Sequence, residues 1–233
     1  MNFAHLGSVS FDASFFSALF SIVIIDLVLA GDNAVVIAMA VRSLPKEQRR
    51  TGIIYGAAAA VLLRVALTFF VARLLTMHYV KLLGGLVILW VAIKLFVEDE
   101  EAAEGHKEAA NLWHAVRLII IADITMSLDN MLAVGGASNG NFWLLLFGLG
   151  LSIPFIVFTS SLLSMLMDKY PLIIYVGAAI LGKVGGEMII TDPFISQFIA
   201  PTMPVVHGVE LLFAGGVILI GRYWFKRDMA KQA

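Results

Sequence analysis

The sequence predicts an all-α membrane protein: seven transmembrane helices as two inverted three-helix repeats plus one additional C-terminal helix, in a single transmembrane domain. Three observations predict it. Of 233 residues, 60% are hydrophobic and 14% charged, against about 45–50% apolar and about 25% charged in soluble domains. The excess lies in runs long enough to cross a bilayer, which takes roughly 20 apolar residues per helix. A short acidic pattern also occurs twice, once in each half of the chain.

The seven runs are 17–41, 52–76, 79–97, 113–137, 141–167, 170–190 and 207–225. They are continuous rather than alternating, which argues against a transmembrane barrel. Residues 1–16 lack a basic start and the first run is too long for a cleavable leader, so no signal peptide is expected. Arg42, Lys46, Arg49 and Arg50 follow the first run, and Arg222, Lys226, Arg227 and Lys231 close the chain. Seven spans put both groups on one side, and an excess of basic residues marks the cytoplasmic side. The acidic loop 98–112 falls there too. The expectation is a multi-pass protein of the plasma (inner) membrane with its N-terminus outside and its C-terminus cytoplasmic. A formal net charge of −1 gives no reason to expect nucleic acid, and the lack of cysteine excludes disulfides and thiolate ligands.

The first span contains "IIDLVLAGDNAVVIAMA", residues 24–40, with Asp26, Asp32 and Asn33. Asp26 and Asn33, seven apart, share one helical stripe, while Asp32 points about 120° from Asp26 in a regular helix. Gly31 tolerates unwinding. A break at "LAGDN" would swing Asp32 toward Asp26 and free backbone carbonyls. The fourth span contains "IADITMSLDNMLAVGGAS", residues 121–138, and repeats the pattern D-x5-DN. Asp123, Asp129 and Asn130 follow their counterparts at a constant 97 residues (123 − 26). Leu128 stands where the first copy has Gly31, and Gly135 and Gly136 come later, so a break there is expected further along or not at all. Gly56 with Gly148, and Gly85 with Gly177, match at 92 (148 − 56). The first repeat then runs 17–97 and the second 113–190, with 207–225 outside both. Three spans per repeat invert the second copy, the plan of many secondary transporters.

An ionised Asp at the centre of a lipid-facing helix costs about 2.5–3.5 kcal/mol on insertion scales. These carboxylates therefore need partners. Four Asp and two Asn offer only hard oxygen donors, which suit Mg²⁺, Ca²⁺ or Mn²⁺. A thioether from Met39, Met126 or Met131 would favour Mn²⁺, although methionine more commonly fills space between helices. The competing reading is internal neutralisation. Arg64 would pair with one Asp, Lys183 with Glu187 four residues on, and Lys94 would snorkel to the surface. Those three cations do not offset Asp26, Asp32, Asp123, Asp129 and Glu187, and the surplus suits a dication or protons. Glu210, one turn after His207, reads as a gate, a proton acceptor or an interfacial residue; Glu187 and Arg64 are further candidates for gating or proton coupling. Asn139 and Asn141 read as turn residues, and the hydroxyls of "TSSLLS", 159–164, as bonding to their own helix or lining a pathway.

These two acidic stretches, with "KLLGGLVILWVAIKLF" and "GAAILGKVGGEMIITD", resemble the TerC family of integral membrane proteins, within the lysine-exporter superfamily. The resemblance covers roughly residues 17–225 and is closest to the short bacterial branch. It implies seven spans in two inverted triple-helix repeats and, for several bacterial members, manganese export. The motif residues carry over as Asp26, Asp32, Asn33, Asp123, Asp129 and Asn130.

The expected function is export of a divalent cation, Mn²⁺ foremost with Ca²⁺ and Mg²⁺ open, by alternating access with proton exchange. No nucleotide-binding motif is present, so an ion gradient or the membrane potential would supply the energy. A non-transporting role in membrane-protein assembly or metal loading is the alternative. An intramembrane aspartyl protease needs YD and GxGD, where this chain has "IIDL" and "SLDN", so no enzyme is expected. The partners expected are the cation and the lipid bilayer, with homo-oligomers left open.

Overall fold

The computed structural model describes the backbone of residues 13–74, 79–103, 111–138 and 141–232, with side chains 28, 69–74, 99–103, 128–129, 132 and 228–232 left out. Among the described residues every regular element is helical: α1 Ala13–Leu29, α2 Gly31–Arg42, α3 Lys46–Leu74, α4 Val80–Ala103, α5 Leu112–Ser138, α6 Phe142–Lys169, α7 Leu172–Ile190 and α8 Met203–Gln232. A 3₁₀ turn, Ile195–Gln197, precedes α8. Five of the described helices are long and apolar enough to cross a membrane, or six if the bent pair α1–α2 forms one span. The 27-residue α5 carries Arg117, Asp123 and Asp129 along its length.

The first predicted span is two helices. The chain bends by 56° between α1 and α2, at Ala30, whose backbone leaves the helical region before Gly31 opens α2. Ala34 N–H donates to Ala30 O at 3.0 Å, the first bond of the new helix, and Asn33 N–H donates to Asp32 Oδ1 at 2.8 Å. The glycine beside the acidic pair thus marks the break. The second copy, with Leu128 in that place, runs unbroken through α5. At 12 residues α2 is about 18 Å long, too short to cross about 30 Å of hydrocarbon alone. Every residue from Asn33 to Arg42 is buried, because α3, α5, α6 and α7 all pack around it.

Other ends differ modestly from the sequence reading. The helix α3 starts at Lys46, where the basic segment continues the helical turn, and α4 runs on into the acidic segment as far as Ala103. Asn141 caps α6, its side chain accepting from Trp143 N–H and Leu144 N–H, so its turn role includes satisfying orphan donors. Asn139 lies outside the described residues.

The helices of the two halves interleave. The helix α3 packs on α5 and α6, α1 on α6, and α4 on α7. The α4–α7 crossing is tight: a Cβ on Gly85 would lie 2.7 Å from Gly185 O. Small residues let backbones approach this closely, the usual basis of helix contact in lipid. Three residues earlier on α7, a Cβ on Gly182 would lie 2.7 Å from Phe213 O of α8. Leu211, Leu212 and Leu219 of α8 are exposed, as are Phe158 and Met165 of α6, which is the surface a hydrocarbon solvent accepts.

Candidate functional site

Three charged side chains meet where α1, α3 and α5 converge: Asp26, Arg64 and Asp123, exposed by 1%, 2% and 6%. Arg64 Nη1 donates to Asp26 Oδ1, Nη2 to Asp123 Oδ1, and Nε to Ser127 Oγ at 3.1 Å. Ser152 of α6 donates its hydroxyl to Asp26 Oδ2, and Thr68 Oγ1 donates to Arg64 O at 2.7 Å. The sequence reading pairs Arg64 with one carboxylate; the structure gives it two. Its planar fork holds three separate donors in fixed directions, one for each carboxylate and one for the hydroxyl. Ser127 lies four residues after Asp123, on the same helical face, and was legible for that reason. Ser152 had no sequence signal, because only packing brings α6 against α1.

Beside this triad lies a cavity of about 10 Å³ lined by Asn33, Val36 and Ile37 of α2 and by Ile119 and Asp123 of α5. It has room for about one water-sized guest. Asp123 Oδ2, Asn33 Oδ1 and Asn33 Nδ2 are all buried and have no hydrogen-bond partner among the described residues. Leaving such groups unsatisfied costs about 1–3 kcal/mol each, and here they share one cavity. Asp32, half-buried beside Asn33, interacts electrostatically with Arg64 and Asp123. Asn130 Nδ2 lies 3.5 Å from Leu29 O, at a carbonyl near the α1–α2 break. Thus Asp26, Asn33 and Asp123 gather at one centre with Asp32 near it, and Asn130 reaches the break. The Asp129 side chain lies outside the described residues. Among the described residues no three carboxylate or imidazole groups cluster as a metal centre. The carboxylates that do converge are held by Arg64.

The methionines fill space. Met39 and Met126 belong to the main apolar core, Met131 is fully buried, and the Met39 sulfur packs against Gly177. The candidate gating residues separate. Lys183 Nζ lies 3.7 Å from Glu210 Oε1 of α8, and His207 Nδ1 lies 3.0 Å from Glu210 Oε2. No ion pair joins Lys183 to Glu187 among the described residues, and Glu187 is exposed on α7. The same-helix pair expected from spacing gives way because α8 packs on the face of α7 that presents Lys183. Glu210 is only 6% exposed, so it is a buried carboxylate with two basic neighbours rather than an interfacial one. Lys94 Nζ sits 5.1 Å from the ring centre of Trp90. Ser160 and Ser164 are buried and their hydroxyls have no partner among the described residues, contrary to the expectation that they bond to their own helix.

Comparison with known proteins agrees with this architecture. The model of the integral membrane protein TerC family matches residues 11–229. Membrane protein YjbE of Bacillus subtilis is 42% identical over 207 residues, covering 89% of this chain and 94% of the relative. Membrane protein YkoY of the same organism is 27% identical, covering 69% of this chain and 56% of YkoY. The inner membrane protein YgdQ of Escherichia coli is 24% identical, covering 77% of this chain and 82% of its own length. No solved structure matches. A family match across nearly the whole chain, with a relative this similar over almost its full length, places the protein in the TerC family of integral membrane proteins.

Proposed function

We propose that the protein is a membrane transporter that exports a divalent cation, Mn²⁺ foremost, through the centre formed by Asp26, Asp32, Asn33, Asp123, Asp129 and Asn130. The observation that carries the reading is the shared cavity of Asn33 and Asp123, with buried oxygens from α2 and α5 that no donor among the described residues satisfies. Carboxylate and amide oxygens are hard donors, which suit Mn²⁺, Ca²⁺ and Mg²⁺. Arg64 acts as the built-in counter-cation of Asp26 and Asp123. A dication entering the centre competes with the guanidinium for the same oxygens, and protons taken up by the carboxylates balance its departure.

Alternating access draws support from the packing. The helix α3 lies against α5 and α1 against α6, a reciprocal exchange between halves, with α4 and α7 crossing at Gly85 and Gly185. This is the pattern expected of two inverted three-helix repeats followed by a seventh span, with the cargo site between them. The basic end at Arg42 to Arg50 then faces the cytoplasm of the inner membrane. Glu210, flanked by His207 and Lys183, is the candidate for proton coupling. A second reading, a non-transporting assembly or metal-loading factor, is favoured by the Arg64 bridge, which makes a sound structural staple without any cargo.

Flux separates the two. The full chain is reconstituted in liposomes and followed with Mn²⁺, Ca²⁺ and Mg²⁺, with and without a pH gradient. Transport expects cation movement that Asp32→Asn, Asp123→Asn and Asp129→Asn each abolish while insertion persists. Absence of flux for all three cations, or wild-type flux in these variants, overturns it.

A further inference from the structure

At the basic end of the bundle a cleft of about 360 Å³ opens between the first turns of α3 and the last turns of α6. The α3 wall carries Lys46, Arg49 and Arg50, and the α6 wall carries Ser161, Ser164 and Asp168. The one carboxylate is fully engaged: Asp168 Oδ1 accepts from Arg42 Nε at 3.2 Å and Oδ2 from Arg49 Nη1. Arg49 is pinned as well, its Nε bonding to Leu44 O at 3.2 Å and its Nη2 to Arg42 O at 2.8 Å. Lys46 and Arg50 are different. Both are exposed, and neither takes part in a hydrogen bond or ion pair among the described residues. Ser164 is only 3% exposed, and its hydroxyl has no partner among the described residues. The cleft therefore combines two uncommitted cations and a buried hydroxyl without a partner among the described residues, with no uncommitted carboxylate.

We propose that this cleft is a phosphate oxyanion site, separate from the Asp–Asn centre and independent of the cation reading. Lys46 supplies a point charge, Arg50 a fork that matches two phosphate oxygens, and Ser164 a donor at the closed end. Two carriers share this chemistry: the headgroup of an anionic phospholipid and free inorganic phosphate. The flanks favour the lipid, because Ile54 of α3 and Phe158, Leu162 and Met165 of α6 are exposed apolar residues along which acyl chains can lie. A basic pocket between membrane helices is a recurrent place for such headgroups.

The test uses the full chain purified in neutral detergent. Thermal stability is measured with added phosphatidylcholine, with phosphatidylglycerol, and with inorganic phosphate at constant ionic strength, and native mass spectrometry counts retained lipids. Phosphatidylglycerol raises Tm and stays bound where phosphatidylcholine does not; a rise with inorganic phosphate alone instead identifies the soluble carrier. Lys46→Gln/Arg50→Gln weakens retention at least about ten-fold, as expected for loss of two charge-assisted contacts. Ser164→Ala weakens it less. Lys226→Gln/Arg227→Gln removes the same charge elsewhere and leaves it intact. The proposal is overturned if neither phosphate source acts, if the response survives Lys46→Gln/Arg50→Gln, or if the control pair abolishes it equally.

Discussion

Asn33 and Asp123 face one small cavity from α2 and α5, and among the described residues neither Asn33 Oδ1 nor Asp123 Oδ2 has a hydrogen-bond partner. A folded interior rarely leaves two such groups side by side. Stability alone gives no reason to keep Asn33 there, which sets it apart from Asp123, whose other oxygen belongs to the Arg64 bridge.

Asn33→Ala separates function from stability. It removes two orphaned polar atoms from a buried position, so the folded protein is unchanged or gains up to about 1–3 kcal/mol, read as Tm in detergent. Cation flux in liposomes falls by at least an order of magnitude. A variant that loses stability and flux together would mean that Asn33 has a structural partner after all.

Arg64 answers differently. Arg64→Met leaves Asp26 and Asp123 buried without a counter-charge, and removing one partner of a buried ion network costs about 3–5 kcal/mol. The triple variant Asp26→Asn/Arg64→Met/Asp123→Asn recovers most of that loss, because no unpaired charge remains. The check is the unfolding midpoint of the single and triple variants side by side. A triple variant no more stable than Arg64→Met would show that packing of the arginine, not its charge, holds the centre.

Glu210 is buried against His207 and Lys183 on the far side of α7 from α2. Glu210→Gln keeps the shape but removes the ability to exchange a proton. The expected outcome is residual Mn²⁺ flux that no longer responds to an imposed pH gradient. Wild-type acceleration by the gradient in this variant would assign proton coupling to other carboxylates.

Gly85→Val tests the α4–α7 crossing. The added side chain meets the Gly185 carbonyl oxygen, and overpacking of this kind costs about 1–3 kcal/mol or more. Gly150→Val on α6, where a Cβ meets nothing within 4 Å, serves as the control and is neutral or slightly stabilising, because valine has the better helix propensity. Circular dichroism melts in detergent give both values.

The sequence by itself determined the helices, the apolar surface and the presence of intramembrane carboxylates, because run length, composition and the doubled D-x5-DN are local properties. It also marked the break beside Gly31, since backbone freedom there belongs to one residue and its neighbours. Tertiary structure alone decided who meets whom. Arg64 bridges Asp26 and Asp123, Ser152 reaches Asp26, and Lys183 takes Glu210 in preference to Glu187. The physical reason is that a charge in a low-dielectric interior is stabilised by the nearest opposite charge in space. That distance depends on how helices rotate and cross, which periodicity along one helix does not specify.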